Sequence, residues 1–379
     1  MAVLSTSDVQ ILLDQPAGTG MVVSCYADMS VAQGFEPHWV GHFKREASRI
    51  RQALADDELA RDEFERNLTV VRAAFDTEDA RRARGLAVFS SVARGYFRSH
   101  ALDVAVEHRL VLDEELYLVP LVEALDRQRE CLVVLTNTHR GRVYAATPGS
   151  ARVLKEVEEV VPKHHRASGQ RRGKEPGLGI ERHRQDAILH FHKKLAHELE
   201  TVWSGATFRG IILLGHDEGL AQFREHLPSQ LASHVMHQTR YAWTGKQPQI
   251  HEVVAASIAE ATAKEASDLM AELHGRLVEN HRVAAGPQEV LDALRNGQVL
   301  SLVLGPDPGL VASRCTGCGS VFAAEQAICS YCRAACHKTN LWQQILTTAL
   351  RHNVPVHFVK PDAAFSKRGA VAAMLSRDG

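Results

Sequence analysis

The chain has 379 residues, 45% apolar and 23% charged, with 44 Lys+Arg against 45 Asp+Glu. That length exceeds one ordinary hydrophobic core and predicts two or three domains of a soluble globular protein. No apolar run approaches the roughly 18 residues of a membrane span, and the N-terminus lacks a basic segment and meets Asp8 early, so a cytoplasmic protein without a secretory signal is expected.

The first third opens with the strand-like run Gly20–Met29. Two amphipathic segments follow, about 42–54 and 57–75; in the second, Phe64, Leu68, Val71 and Phe75 recur at helical spacing. Gly85–Ser91 reads as a further strand, and the region closes near residue 127. A second unit begins with two β-rich runs around Asn137-Thr138-His139-Arg140-Gly141, the pattern of a hairpin. After a segment running to Pro162, Ile188, Phe191, Leu195 and Leu199 make the apolar face of a helix over about 181–200. A buried strand, "RGIILLGH", and a helix, "DEGLAQFREHL", complete this unit. The third starts near Ile250 with a long helical pattern. It continues through the strand "VLSLVLG", a cysteine cluster, the helix "NLWQQILTTALRHN" and the strand "VPVHFVK". The alternation predicts an α/β protein of three domains, 1–127, 128–246 and 247–379, each a sheet covered by helices.

The seven cysteines divide unevenly. Cys25 and Cys131 stand alone in apolar strands and read as inert core thiols. Cys315, Cys318, Cys329 and Cys332 form two CxxC turns, which together complete a tetrahedral shell. Four thiolates leave no open coordination position, so a structural zinc is expected rather than a catalytic one. Glycine after the second cysteine is expected to let backbone amides face sulfur. Cys336-His337 just beyond is read as a bystander.

Between the second unit's hairpin region and its helix lies "PKHHRASGQRRGK", residues 162–174. It carries five permanent cations and two histidines and no acid, in a chain that is otherwise balanced. A solvated surface is the bland reading. The glycines at 169, 173, 177 and 179 let the backbone approach a partner closely, and the cations suit phosphate. The candidate RNA contacts are Lys163, His164, His165, Arg166, Arg171, Arg172 and Lys174, with Arg182, Arg184, Lys193 and Lys194 on the helix beyond. His183, His190 and His197 recur every seventh residue there and read as solvent-facing or satisfied histidines, since nothing supplies metal-ligand spacing. Ser168 lacks the strand–turn–helix setting of a nucleophilic serine.

The loop and its flanks resemble the archaeal and eukaryotic peptide-chain release factor family, which includes the ribosome-rescue protein Pelota. The family's middle domain carries Lys-Lys-His-Gly-Arg-Gly-Gly-Gln-Ser before a basic helix, and Pro162–Gln170 is similar to it. "DQPAGTGMVVSCYAD" resembles the family's first strand, residues 208–236 resemble the strand and helix after its loop helix, and "VPVHFVK…KRGAVAAMLSR" resembles its last strand and terminus. The cysteines fall where archaeal members hold a four-cysteine site. The resemblance implies a release-factor/Pelota-like three-domain architecture with a zinc-binding insertion in the third domain. It also implies a bacterial-type relative that binds the ribosomal A site, on stalled or idle ribosomes, with rRNA and peptidyl-tRNA as partners and a translational GTPase as a further one. By the same resemblance Gly169 and Gln170 take the places that position water on the peptidyl-tRNA ester, and Ser168 replaces the first glycine. The family's stop-codon motif, Asn-Ile-Lys-Ser, is absent; the corresponding junction is the acidic Asp56–Glu63, which argues against codon reading. Peptidyl-tRNA hydrolysis therefore stands beside two rivals: a non-enzymatic A-site occupant that protects hibernating ribosomes, and an RNA-processing protein unrelated to ribosomes.

Overall fold

The computed structural model describes residues 6–13, 19–30, 38–160, 177–205, 207–243, 250–279 and 281–376. Its first stretch runs α1 (Thr6–Leu13), β1 (Val22–Asp28), α2 (His38–Ala53), α3 (Glu58–Phe75), α4 (Glu78–Arg82), β2 (Gly85–Ser91), β3 (Tyr96–Leu102), β4 (Arg109–Asp113) and α5 (Val119–Gln128). The strands form an antiparallel sheet in the order β3-β2-β1-β4. Strands β1 and β2 are buried almost throughout because both faces of the sheet are covered. Val23, Cys25, Ala27, Leu86 and Val88 pack with Phe64, Leu68 and Val71 of α3, while Val22, Tyr26, Ala87 and Phe89 point into a second core. The acidic junction before α3 has a local structural use: Asp57 caps the helix by accepting from the Ala60 N–H at 2.9 Å.

The next stretch runs β5 (Cys131–Thr136), β6 (Arg140–Thr147), β7 (Ser150–Glu158), α6 (Gly177–Ser204), β8 (Ile211–Gly215), α7 (Asp217–Glu225), α8 (Ser229–Ala232), β9 (Val235–Arg240) and α9 (Ile250–Glu279). The sheet order is β7-β6-β5-β8-β9; the β5–β8 and β8–β9 pairs are parallel and the others antiparallel. The expected hairpin is β5–β6, with the Asn137 side chain accepting from the His139 and Arg140 amides at 3.0 and 2.8 Å. One face packs Leu132, Val134, Ile211 and Leu213 against Phe191, Leu195 and Leu199 of α6; the other packs Val133, Leu135 and Ile212 against Ile250, Val254 and Ile258 of α9. Helix α6 comes so close to the sheet that a Cβ on Gly141 would lie 2.7 Å from a Leu195 methyl.

The last stretch runs β10 (Val283–Ala285), α10 (Pro287–Arg295), β11 (Val299–Leu304), β12 (Val311–Cys315), β13 (Val321–Phe322), β14 (Cys336–Asn340), α11 (Leu341–Arg351), β15 (Val356–Phe358), α12 (Ala363–Lys367) and β16 (Val371–Leu375). One sheet has the order β10-β16-β11-β15, with β11–β15 parallel; a small antiparallel sheet has the order β13-β12-β14. Buried Trp342 donates its indole N–H to the Gly305 carbonyl at 3.0 Å.

By packing, the chain divides into two compact units: residues 1–127 together with 270–379, and residues 128–269. The outer two stretches share a unit. Within that unit, buried Gln343 accepts from the Leu118 amide at 2.7 Å and donates to the Leu116 carbonyl at 2.5 Å. Asp307 accepts from the Tyr117 hydroxyl at 2.6 Å and the Asn340 side-chain NH2 at 2.8 Å. The architecture is mixed α/β with several sheets. Among the described residues no helix is long and apolar enough to cross a membrane.

Candidate metal centre and the flanks of the basic loop

Cys315 ends β12, and the small sheet holds β14 beside it in register, Cys315 opposite Cys336. The two CxxC turns are built alike. The Gly319 amide donates to the Cys315 carbonyl at 3.1 Å, and the Arg333 amide donates to the Cys329 carbonyl at 3.1 Å. Gly319 and Arg333 both take positive φ, +72° and +66°, which closes each turn. The amides of Gly317 and Cys318 face Cys315 Sγ at 3.3 and 3.4 Å, that of Ser320 faces Cys318 and that of Ala334 faces Cys332. Gly319 supplies the left-handed turn between Cys318 and Ser320, whose amide faces the Cys318 sulfur, as expected of a glycine at that place.

The four sulfurs lie within 4.8 Å of one another, with Cys315 to Cys332 at 3.2 Å and Cys318 to Cys329 at 3.6 Å. A tetrahedral shell with bonds of about 2.3 Å puts its sulfurs about 3.8 Å apart, inside that range. All four are free thiols rather than disulfides. The Cys318 amide, with that of Gly317, draws the Cys315 thiol below its ordinary range, and Ser320, whose hydroxyl lies 3.2 Å away, draws Cys318 down to about 6. Cys332 has the Ala334 amide lowering it, yet the thiols of Cys315 and Cys318 push it up to about 12. Four thiols this close cannot all ionise without a cation among them, so the donor set fits a metal ion. Cys336 stands beside Cys315 but is not one of the four clustered sulfurs, and His337 faces Glu114 at 3.7 Å. Ser320 and Arg333 were not legible as parts of this site; the only signal was their offset from the second cysteine of each pair.

The remaining site residues, Lys163, His164, His165, Arg166, Ser168, Gly169, Gln170, Arg171, Arg172 and Lys174, lie outside the described residues. Their flanks are described. Strand β7 is the edge of its sheet, and α6 leaves the loop with Arg182, His183, His190, Lys193 and His197 exposed. Lys194 is 3.9 Å from Glu159, and Lys155 is 2.9 Å from Glu198, so ion pairs tie α6 to the end of β7. Between the exposed histidines sits one that periodicity did not single out: His192 is buried. Burial, with a contribution from His226, lowers its pKa to about 4. Cys25 and Cys131 are buried, and burial raises both thiols, Cys131 to about 11, in keeping with inert core cysteines.

Residues 117–262 match the family model described as bacterial archaeo-eukaryotic release factor family 10. Comparison with curated proteins gives no match. Among solved structures, the chain is similar to an archaeal translation termination factor, aRF1, at 15% identity, covering 98% of this chain and 96% of that one with a TM-score of 0.28. It is similar to Saccharomyces cerevisiae Dom34, a translation termination-like factor, at 14% identity over 74% of each chain with a TM-score of 0.41. Archaeoglobus fulgidus Pelota aligns at 15% identity over 78% of this chain and 80% of that one, with a TM-score of 0.31.

Proposed function

We propose that this chain, a relative of the archaeo-eukaryotic release factors through its match over residues 117–262, is a ribosome-directed translation factor. The observation that carries the reading is that the match encloses the whole basic loop and the helix after it. The loop's charge suits rRNA phosphates: Lys163, Arg166, Arg171, Arg172 and Lys174, with His164 and His165, would track the backbone and bring Ser168-Gly169-Gln170 to the ribosome's interior. We place its action at the A site of stalled or idle ribosomes, in the cytoplasm, with a translational GTPase as a further partner. The division into domains 1–127, 128–246 and 247–379 belongs to the same reading.

Two activities follow from the tip. In the hydrolase reading, the backbone amide at Gln170 is a preorganised donor for the oxyanion of the peptidyl-tRNA ester, and its side chain shapes the water pocket. In the occupant reading the loop fills the site without chemistry. Ser168 favours the occupant, because a Cβ stands where the family has glycine, and Arg171-Arg172 add phosphate anchors beyond the tip. Cys315, Cys318, Cys329 and Cys332 are assigned to a structural zinc, since four thiolates satisfy it and exclude substrate.

The test is peptide release from a stalled ribosome at saturating protein, beside co-sedimentation with ribosomes. Release that falls by about 10²-fold or more in Gly169→Ala supports the hydrolase. Binding without release leaves the occupant. Absence of co-sedimentation at low salt, or affinity unchanged when the five loop cations become alanine, overturns the ribosomal reading and returns the loop to a solvated surface.

A further inference from the structure

The unit formed by residues 1–127 and 270–379 contains a cavity of about 810 Å³, far from the basic loop in sequence and independent of the function proposed for it. That volume is within the range of small-molecule sites. Its apolar wall includes Leu12 and Leu13 of α1 and Leu116 and Leu118 before α5. Its polar wall holds four guanidinium groups, Arg94, Arg98, Arg314 and Arg351, against two carboxylates, Glu114 and Glu115.

Both carboxylates are already engaged. Glu115 pairs with Arg314 through one oxygen and accepts from Gln344 at 2.8 Å through the other, while Glu114 faces His337. Arg94 is fixed by donating to the carbonyls of Gly20 and Glu114 at 2.6 and 2.9 Å, which leaves its buried Nε without an acceptor among the described residues. The Tyr96 hydroxyl is likewise buried without a partner, and burial pushes its pKa up to about 12, so it stays a donor. Arg98 lies over the Tyr96 ring at 5.4 Å and donates to a backbone carbonyl. Arg351, at the end of α11, is exposed and faces no carboxylate among the described residues; burial and this neighbour hold the Arg314 guanidinium below its ordinary range.

Water alone would not answer an excess of cations around a half-apolar chamber. We propose that this cavity binds an amphipathic organic anion. Its phosphate or carboxylate head would lie on the exposed guanidinium groups of Arg98 and Arg351, and its apolar body against the leucine wall. Guanidinium groups match both kinds of head in geometry and charge. Cys315, Thr316 and Gly319 form part of the same wall, so the metal-loaded protein is the form to assay.

The probe is 8-anilinonaphthalene-1-sulfonate, a sulfonate on an aromatic body, titrated into the full chain and followed by fluorescence. One saturable site per chain is expected. Arg351→Ala and Arg98→Ala should each weaken it by about tenfold, the loss of one charge-assisted contact, with Tm near wild type. Displacement by decanoate assigns an acyl carboxylate; displacement by adenosine monophosphate assigns a nucleotide. Absence of a saturable site, a site that both folded variants leave unchanged, or displacement by neither competitor overturns the proposal.

Discussion

The cysteine turns and the Gln343–Asp307 seam lie in the same unit, and opposite kinds of physics hold them. The turns close through residues at most 17 apart, with the four sulfurs converging on one point. The seam joins residues about 190 to 230 apart: Tyr117 to Asp307, Leu118 to Gln343, and Glu115 to Gln344. In the turns, ligands and backbone are specified together by a short spacing. In the seam, each group is ordinary in its own segment and gains meaning only when a distant partner arrives. The turns would be tied to a metal, and the seam to the packing of the whole unit.

Metal removal separates the two most sharply and carries the largest expected effect. Apparent binding energies of structural zinc reach about 10–16 kcal/mol in small domains. Purified protein should hold about one zinc per chain, and Cys329→Ser or a strong chelator should release it and unfold the β12–β14 region. Elemental analysis with hydrogen exchange checks this, and exchange in the Tyr117–Gln343 seam should be affected far less. Loss of protection in both together would show that the turns and the seam are one cooperative element.

Gln343→Leu attacks the seam instead. The side chain is 2% exposed and satisfies one amide and one carbonyl, so replacement by an apolar residue leaves both buried without a partner. The expected loss is about 2–4 kcal/mol, read by urea denaturation with the zinc content unchanged. A cost under about 0.5 kcal/mol would mean that the seam's hydrogen bonds add little beyond its apolar packing.

How much could be read beforehand follows the same division. The span Gly85–Ser91 was legible as a strand, and helix α3 was legible from Phe64, Leu68, Val71 and Phe75, because periodicity is a local property. Strands β3 and β4 were not singled out. Their exposed or half-buried faces, as at Phe97, Arg98 and Ser99, blur the apolar pattern, and pairing with β2 and β1 defines them. The four cysteines were legible by spacing, whereas Ser320 and Arg333 were visible only through the turns they complete. The run at 162–174 is read from its charge and glycines alone, and the family match at 117–262 spans it.

Asp113 gives the smallest effect and the finest test of the seam. It sits at the end of β4, accepts from the Glu114 amide at 2.6 Å and from the Thr339 hydroxyl at 3.3 Å, and burial raises its pKa to about 6. Because the folded value lies above the unfolded one, the native state holds the proton longer as pH rises. Stability from this group is therefore greatest below about pH 4 and is lost between about pH 4 and 6, by about 1–3 kcal/mol in total. Asp113→Asn keeps one oxygen to accept from the Glu114 amide, sets an NH2 donor against the Thr339 hydroxyl, which can accept it, and so mimics the protonated acid while abolishing the titration. The variant should match wild type near pH 4 and exceed it at pH 7, as measured by denaturant midpoints across that range. Parallel curves for the two proteins would show that Asp113 is solvated in the native state, and that this end of the seam is open to water rather than closed by Thr339.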